Sequence, residues 1–369
     1  MHLRLSTSAF LEELQTAARV ASTRSAVQAL SGVQLHAEGD AAELRATDME
    51  VGLRLPLSAT VETPGDVVLP ARLLLDVVRS LPGPEVSLQL RTAEQDVEII
   101  SASSTFRLRT LRNEDFPHLP SAGGENAISL DAAPFIDTVA RVSRSASRDE
   151  TRPVLTGILV SASDHELRMV ATDSYRLSVK TTKLTESVSA PLEANVPARA
   201  LAEVVRIAQQ SEVPTISVSR SENQIVFTLG GAVLSSRLID GQFPNYRQLL
   251  PESVEHELRL ASAELTDVVR RISLLAQKNA PLRLSFSEGT LTVSAQTPDV
   301  GEASESIPVP FHGEPFEIGF NPEFLRDGLE SIDTDELILK LISPLRPGLI
   351  ESPDSGDFVY LIMPIRLNV

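Results

Sequence analysis

The feature that most restricts what this chain can become is that it is written three times. The stretches RLSTSAFLEELQTAARVAS (4–22), SLDAAPFIDTVARVSRSAS (129–147) and RLASAELTDVVRRISLLAQ (259–277) share one pattern. Each sets a Ser or Asp where a helix N-cap would sit and then repeats apolar residues at helical spacing. Phe10, Leu14, Ala17 and Ala21 mark the first face, Phe135, Val139 and Val142 the second, and Leu265, Val268, Val269 and Ile272 the third. Alternating strands follow in GVQLHAEG, GILVSASD and LRLSFSEG. A second helix is introduced by VVLPARLLLDVVRSL, ANVPARALAEVVRIA and EIGFNPEFLRDGLES, with a proline at its start, where a missing N–H costs little. Each copy closes on strands and a proline phrase: FPHLP, FPNYRQLLP and YLIMPIRL.

Two shorter echoes fix the register. Ala46-Thr47-Asp48 returns as Ala171-Thr172-Asp173, and the Pro-Ala-Arg of 70–72 returns at 197–199. The period is too long for a solenoid and matches an ordinary domain of about 120 residues. The pattern predicts an α+β protein of three repeated domains, 1–122, 127–251 and 256–369, with linkers near 120–127 and 251–257.

Hydrophobic content of 42% is ample for burial, and no apolar run approaches the ~18 residues of a membrane span. Glu12 and Glu13 fall where a signal peptide would be apolar, and there is no cysteine for disulfides or thiolate chemistry. A cytoplasmic protein with no membrane partner is expected. No Gly-Lys phosphate loop and no nucleophile elbow occur; His165-Glu166 and His256-Glu257 lack the second histidine of a zinc-protease helix. The sequence therefore predicts no catalytic residues, no metal and no cofactor, and a protein that is not an enzyme is expected, with an enzyme whose carboxylates converge only in the fold as the rival reading.

A net charge of −17 argues at first against a nucleic-acid partner. Its distribution argues otherwise. The six predicted helices carry 13 basic and 10 acidic residues, whereas the rest of the chain carries 20 and 40. Arg19, Arg24, Arg72, Arg79, Arg141, Arg144, Arg148, Arg199, Arg206, Arg270, Arg271 and Lys278 form a helix-borne set with no interleaved aromatics. Such a surface suits backbone contact without base reading. Arg24, Arg72, Arg79, Arg141, Arg148 and Arg199 are the chief candidates for such contact.

The threefold unit together with VATDSYRL (170–177), DGQFPNYRQLLP (240–251) and YLIMPIRL (360–367) resembles the bacterial DNA polymerase III β subunit, the replicative sliding clamps, from Met1 to Leu367. The resemblance implies three DNA-clamp domains per chain and a head-to-tail homodimer that closes a six-domain ring. It implies helices lining the inside, sheets outside, and duplex DNA held by topology without sequence preference. It also implies a processivity factor that serves replicative and other DNA polymerases, a clamp loader and repair proteins through one hydrophobic pocket. Carried over residue by residue, that pocket is Leu155, Thr172, Ser174, Tyr175, Arg176, Leu177, Pro244, Leu249, Leu361, Ile362, Met363, Pro364, Ile365, Arg366 and Leu367. A partner peptide is expected to dock an apolar anchor against Leu177, Pro244, Ile362 and Met363, with its polar end at Arg176. Asp173 reads as structural, because its copy Asp48 lies where the family has no pocket. Ser174-Tyr175 stands where relatives often have Gly-His and Gln248 where some have a base, and Asn368-Val369 extends past the usual terminus.

Residues 106–112, FRLRTLR, alternate apolar and basic side chains, and 301–309, GEASESIPV, alternate small and acidic ones. These segments are expected to meet edge to edge in the dimer. Phe106, Arg107, Leu108 and Arg109 would then face Glu302 and Glu305, with Leu274 and Leu275 as an apolar plug.

Overall fold

The computed structural model describes residues 1–123, 127–251, 253–276, 280–298, 300–353 and 356–367. Lys278 and the Asn368-Val369 extension lie outside the described residues. Among the described residues there are six α-helices, two per sequence repeat: α1 (Thr7–Val20), α2 (Ala71–Ser80), α3 (Ala132–Ser143), α4 (Ala198–Gln210), α5 (Ser262–Ile272) and α6 (Pro322–Leu329). The apolar faces read from the sequence are the buried ones: Phe10, Leu14 and Ala17 on α1, Phe135 and Val139 on α3, and Leu265, Val268 and Val269 on α5. The expected side-chain caps are a different matter. Ser6 caps α1 by backbone position with no side-chain bond to the helix N–H groups, and Ser262 lies inside α5, its hydroxyl buried without a partner among the described residues. Asn321 does cap α6, its Oδ1 accepting from the Glu323 and Phe324 N–H groups at 2.9 and 3.2 Å.

The chain divides into two compact units whose border runs through the middle repeat: residues 1–132 with 199–238, and residues 133–198 with 239 to the C-terminus. In the first unit a five-stranded sheet runs from Ala59–Thr63 to an edge at Ser104–Arg109. The same unit holds an eight-stranded antiparallel sheet in which Val51–Leu57 of repeat one pairs with Ala232–Arg237, the last strand of repeat two. The second unit is built the same way. Its eight-stranded sheet joins Arg176–Lys183 of repeat two to Phe358–Ile362, the last strand of repeat three, with Leu177 opposite Leu361. Its four-stranded sheet ends at Gly301–Pro308.

One rule therefore makes both joints: the fourth strand of one repeat pairs with the last strand of the next. Two strands of those classes stay at sheet edges, Ser104–Arg109 of repeat one and Gly301–Pro308 of repeat three.

Burial follows the period-2 alternation of the strands. In repeat three, Leu282, Leu284, Phe286, Leu291 and Val293 turn one face of the four-stranded sheet onto α5 and α6, where Val268, Val269, Leu325 and Leu329 meet them. Each such side chain, fully buried, contributes roughly 1.5–3 kcal/mol.

Candidate functional site

The Ala-Thr-Asp echo is a turn, built twice. In repeat two, Thr172 Oγ1 donates to the Arg176 carbonyl at 2.7 Å and accepts the Ser174 N–H at 3.2 Å. Asp173 Oδ1 accepts the N–H groups of Tyr175 and Arg176 at 2.9 and 3.0 Å. Repeat one has the same four bonds: Thr47 Oγ1 to the Val51 carbonyl at 2.7 Å, Met49 N–H to Thr47 at 3.0 Å, and the Glu50 and Val51 N–H groups to Asp48 at 3.0 and 2.8 Å. The motif is turn chemistry, with an aspartate completing its own backbone. Beyond each turn the next repeat is tied on by an equivalent bond, Arg237 N–H to the Glu50 carbonyl and Met363 N–H to the Tyr175 carbonyl, both 2.8 Å.

What distinguishes the second turn is Arg176, where the first has Val51. Its Nε lies 3.0 Å from Asp173 Oδ2 and its Nη1 2.6 Å from Asp327 Oδ2 on α6. Its guanidinium sits over the Phe324 ring at 4.2 Å, and Tyr175 stacks on the same ring at 6.4 Å between centroids. Behind them Tyr360 Oη donates to the Phe324 carbonyl at 2.8 Å. Gly328 makes room for that ring, since a Cβ there would stand 2.5 Å from it. Burial by itself would lower the Arg176 pKa, but the Tyr360 oxygen and the Asp327 and Asp173 carboxylates reverse this and hold it above its ordinary value. Burial raises the Tyr360 pKa, which keeps the phenol neutral.

Around this turn the structure sorts the expected pocket residues into three groups. Tyr175, Leu249 and Met363 are exposed apolar side chains, 60%, 50% and 40% accessible, with Pro244 and Ser174 also exposed. Leu155, Thr172, Arg176, Leu177, Leu361 and Ile362 are buried. This corrects the expected contacts. Leu177 and Ile362 have no accessible surface, and the Arg176 guanidinium is already claimed by two carboxylates. They form the wall behind the exposed group. Leu177 and Leu361 pack with Val170, Leu349 and Tyr246, whereas Ile362 packs into the repeat-three core.

The tail is the third group. Ile365 N–H bonds to the Gly319 carbonyl at 2.7 Å and Leu367 lies against Gly319, so the chain after Pro364 crosses onto the four-stranded sheet. There Ile365, Arg366 and Leu367 line a cavity of about 690 Å³ with Arg283, Ser294, Gln296, Glu302 and Ser304.

Sequence reasoning missed several neighbours. Leu345, in the proline-bounded loop before Gly348, is 63% exposed, and Gly348 pairs with Ile362. Its apolar character within a turn was the available signal. Arg152 donates to Ser174 Oγ at 3.1 Å, and Asp327 and Phe324 reach the turn from 148 or more positions away, with no local signal.

The helix-borne arginines divide as sharply. Arg24, Arg72 and Arg148 are exposed, with no ion pair among the described residues. Arg79 is exposed beside Asp76 at 3.5 Å. Arg199 is exposed but bonded to Asp48 and Glu50, both at 2.5 Å. Arg141 is a correction: it is 7% accessible and clamped by Asp137, Asp333 and the Ser331 carbonyl, so it ties α3 to the end of α6 and faces no ligand. Arg19 and Arg206 pair with Glu203, Arg144 and Arg270 with Glu330, and Arg271 with Glu305. The excess of basic residues counted along the helices is thus largely neutralised at short range.

Of the residues expected in the dimer contact, Leu108 is a further correction, being buried at 5% in its own sheet. Phe106 is half-buried, Arg107 and Arg109 are exposed, Leu274 is 83% exposed and Leu275 half-buried. Glu302 is exposed, whereas Glu305 is engaged by Arg271 at 2.6 Å, and Arg107 by Glu98 at 2.9 Å. Among the described residues no cluster of His, Cys, Asp and Glu is arranged for a metal, and no helix is long and apolar enough to cross a membrane.

Three family models match in succession: the N-terminal domain of the DNA polymerase III beta subunit over residues 1–120, its central domain over 129–245 and its C-terminal domain over 247–366. The beta sliding clamp of Staphylococcus aureus is 30% identical over 368 residues, 97% of each chain. Among solved structures, the Caulobacter crescentus beta sliding clamp superimposes with a TM-score of 0.93 at 30% identity, covering 100% of this chain and 99% of that one. A Pseudomonas aeruginosa sliding clamp solved with bound griselimycin gives 0.90 at 29% identity, with full coverage of both chains. With three α+β clamp domains accounted for in order along its length, the chain belongs to the DNA polymerase III beta subunit family, the non-catalytic bacterial sliding clamps.

Proposed function

We propose that two copies of this chain close head to tail into a ring around duplex DNA. In that form the chain serves as the processivity factor of a DNA polymerase. The observation that carries the dimer is the joint rule. Two edge pairs of the same classes are already joined inside the chain, and one strand of each class is left over. A twofold operation applied to Ser104–Arg109 and Gly301–Pro308 satisfies both leftovers twice and leaves no open edge of this kind. The exposed Leu274 beside Leu275 supports an apolar seal at that seam.

Duplex contact in this reading is electrostatic, sequence-independent and carried first by Arg24, Arg72 and Arg148, which have no acidic partner to displace among the described residues. Partner proteins (polymerases, the clamp loader, repair proteins) dock a short apolar segment on Tyr175, Leu249, Leu345, Met363 and Pro244, with the buried Leu177–Leu361 layer fixing the shape beneath. A cytoplasmic setting is consistent with these partners. Alanine at Leu249 and Met363 tests the pocket: a polymerase-tail peptide should lose at least tenfold in affinity while the mass in solution stays that of a dimer. Unchanged peptide affinity would move the pocket elsewhere.

A further inference from the structure

From Arg176 a chain of alternating charges leads away from the pocket turn. Asp327 holds Arg176 with Oδ2 at 2.6 Å and receives Arg144 Nη1 on Oδ1 at 3.4 Å. Arg144 also binds Glu330 at 2.7 Å, and Glu330 binds Arg270 at 3.1 Å. The inner end is closed to solvent: the Arg176 and Asp327 side chains are 9% and 14% accessible. The outer end is open, with Arg144 at 41% and Arg270 at 56%. Arg144 directly follows α3 and Arg270 lies on α5, within the helix-borne basic set; Asp327 and Glu330 lie on α6 and directly after it.

We propose that Asp327 is the positioning residue of the partner pocket, and that through it the pocket responds to what occupies the helix face. This rests on the clamp reading above and names a regulation of its pocket. Asp327 is shared. Its pull on Arg176 fixes the guanidinium over Phe324, and with it the Asp173 turn that presents Tyr175 and binds Met363 N–H. Its second oxygen is divided with Arg144, which is exposed enough to be taken by a phosphate. A duplex that engages Arg144 and Arg270 leaves Asp327 to Arg176 alone, which tightens the turn before the peptide arrives. Pre-ordering of that kind raises peptide affinity, and by linkage the peptide raises duplex affinity by the same factor.

The test uses the full-length chain, a fluorescent polymerase-tail peptide with a leucine anchor, and a short linear duplex at low salt, read by anisotropy. Wild type should bind the peptide about three- to tenfold more tightly when the duplex is saturating. Asp327→Asn should weaken the peptide several-fold and abolish the duplex response, and Asp327→Glu should restore part of both. Arg144→Gln, an exposed change that leaves the fold intact, should bind peptide without duplex about as tightly as duplex-bound wild type. Wild type that binds both ligands with no mutual effect overturns the proposal and leaves the pocket standing, as does Asp327→Asn with a wild-type response. Wild type that does not bind the peptide at all overturns the pocket reading and this inference with it.

Discussion

Ser174 and Met49 stand at the same point of the same turn, 125 positions apart, and both hold the left-handed backbone conformation, with φ of 81° and 79°. Neither side chain is suited to it. The turn imposes the angle because the Thr oxygen accepts the residue's own N–H while the Asp oxygen accepts the N–H groups after it. Glycine accepts this angle without a Cβ clash. Ser174→Gly and Met49→Gly should each stabilise the protein by roughly 1 kcal/mol, seen as a shift of the urea midpoint with unchanged slope. Loss of stability in both would mean that the two side chains hold the turns in a way the backbone bonds do not.

Arg141 and Arg148 lie seven residues apart in sequence and should behave oppositely. Arg141→Ala strips the Ser331 carbonyl of a donor and removes the cation shared by the exposed Asp137 and Asp333, at a cost of about 1–3 kcal/mol. Its effect on DNA should be no larger than that loss of fold explains. Arg148→Ala should leave the thermal midpoint unchanged and reduce the salt slope of duplex binding by about one unit, as should Arg24→Ala and Arg72→Ala. Measuring midpoint and salt slope on the same four variants decides the assignment.

Acid should loosen the protein at particular places. The Arg144 hydrogen bond holds the Glu330 pKa below the ordinary 4.5, the Arg271 hydrogen bond does so for Glu305, and Arg91 lowers Asp96 from 3.8. Carboxylates with depressed values stabilise the folded state at neutral pH, and that contribution fades as pH falls through their folded pKa, below 4.5. Glu13 runs the other way: burial and then Glu12 raise its pKa, so its charge opposes folding at neutral pH. Glu13→Gln should raise the melting temperature at pH 7 and lose that advantage as the pH drops to where Glu13 is protonated. A constant gain at all pH would remove charge as the cause.

Leu274→Ala with Leu275→Ala should yield monomers in sedimentation with little change in melting temperature per chain, since Leu274 packs on almost nothing in its own chain. Glu305→Gln tests a separate point. Arg271 already holds Glu305 at 2.6 Å within the chain, so its removal should weaken the dimer only modestly. A dimer that survives the double leucine change and falls apart on Glu305→Gln would place the seal in the charges.

Much of this was legible before any coordinates. Helix faces followed from spacing, because burying an apolar stripe is what holds a helix in place: Phe10, Phe135 and Leu265 are each 1% exposed. The structural role of Asp173 was legible because repetition in a second context separates turn chemistry from function. What the sequence could not show is which charges find each other. Arg141 and Arg148 look alike in a string, and only the arrival of Asp333 from another repeat buries one of them. Leu177 and Ile362 read alike as apolar strand residues, but the register that sets Leu177 opposite Leu361 and Arg176 opposite Ile362 puts them on opposite faces, Leu177 packed with Tyr246 and Ile362 in the repeat-three core. Nor does any pattern mark the single backbone bond, Ile365 N–H to the Gly319 carbonyl, that sets Ile365 through Leu367 against the four-stranded sheet.

The central claim is closure around DNA, and topology tests it more directly than affinity. The chain, loaded by its clamp loader onto a nicked circular duplex, is passed through a sizing column in high salt, where phosphate contacts are screened. A closed ring stays with the circle and is lost when the circle is cut once before the column. Retention that is equal on circular and linearised DNA, or absent from both after loading, would contradict the account.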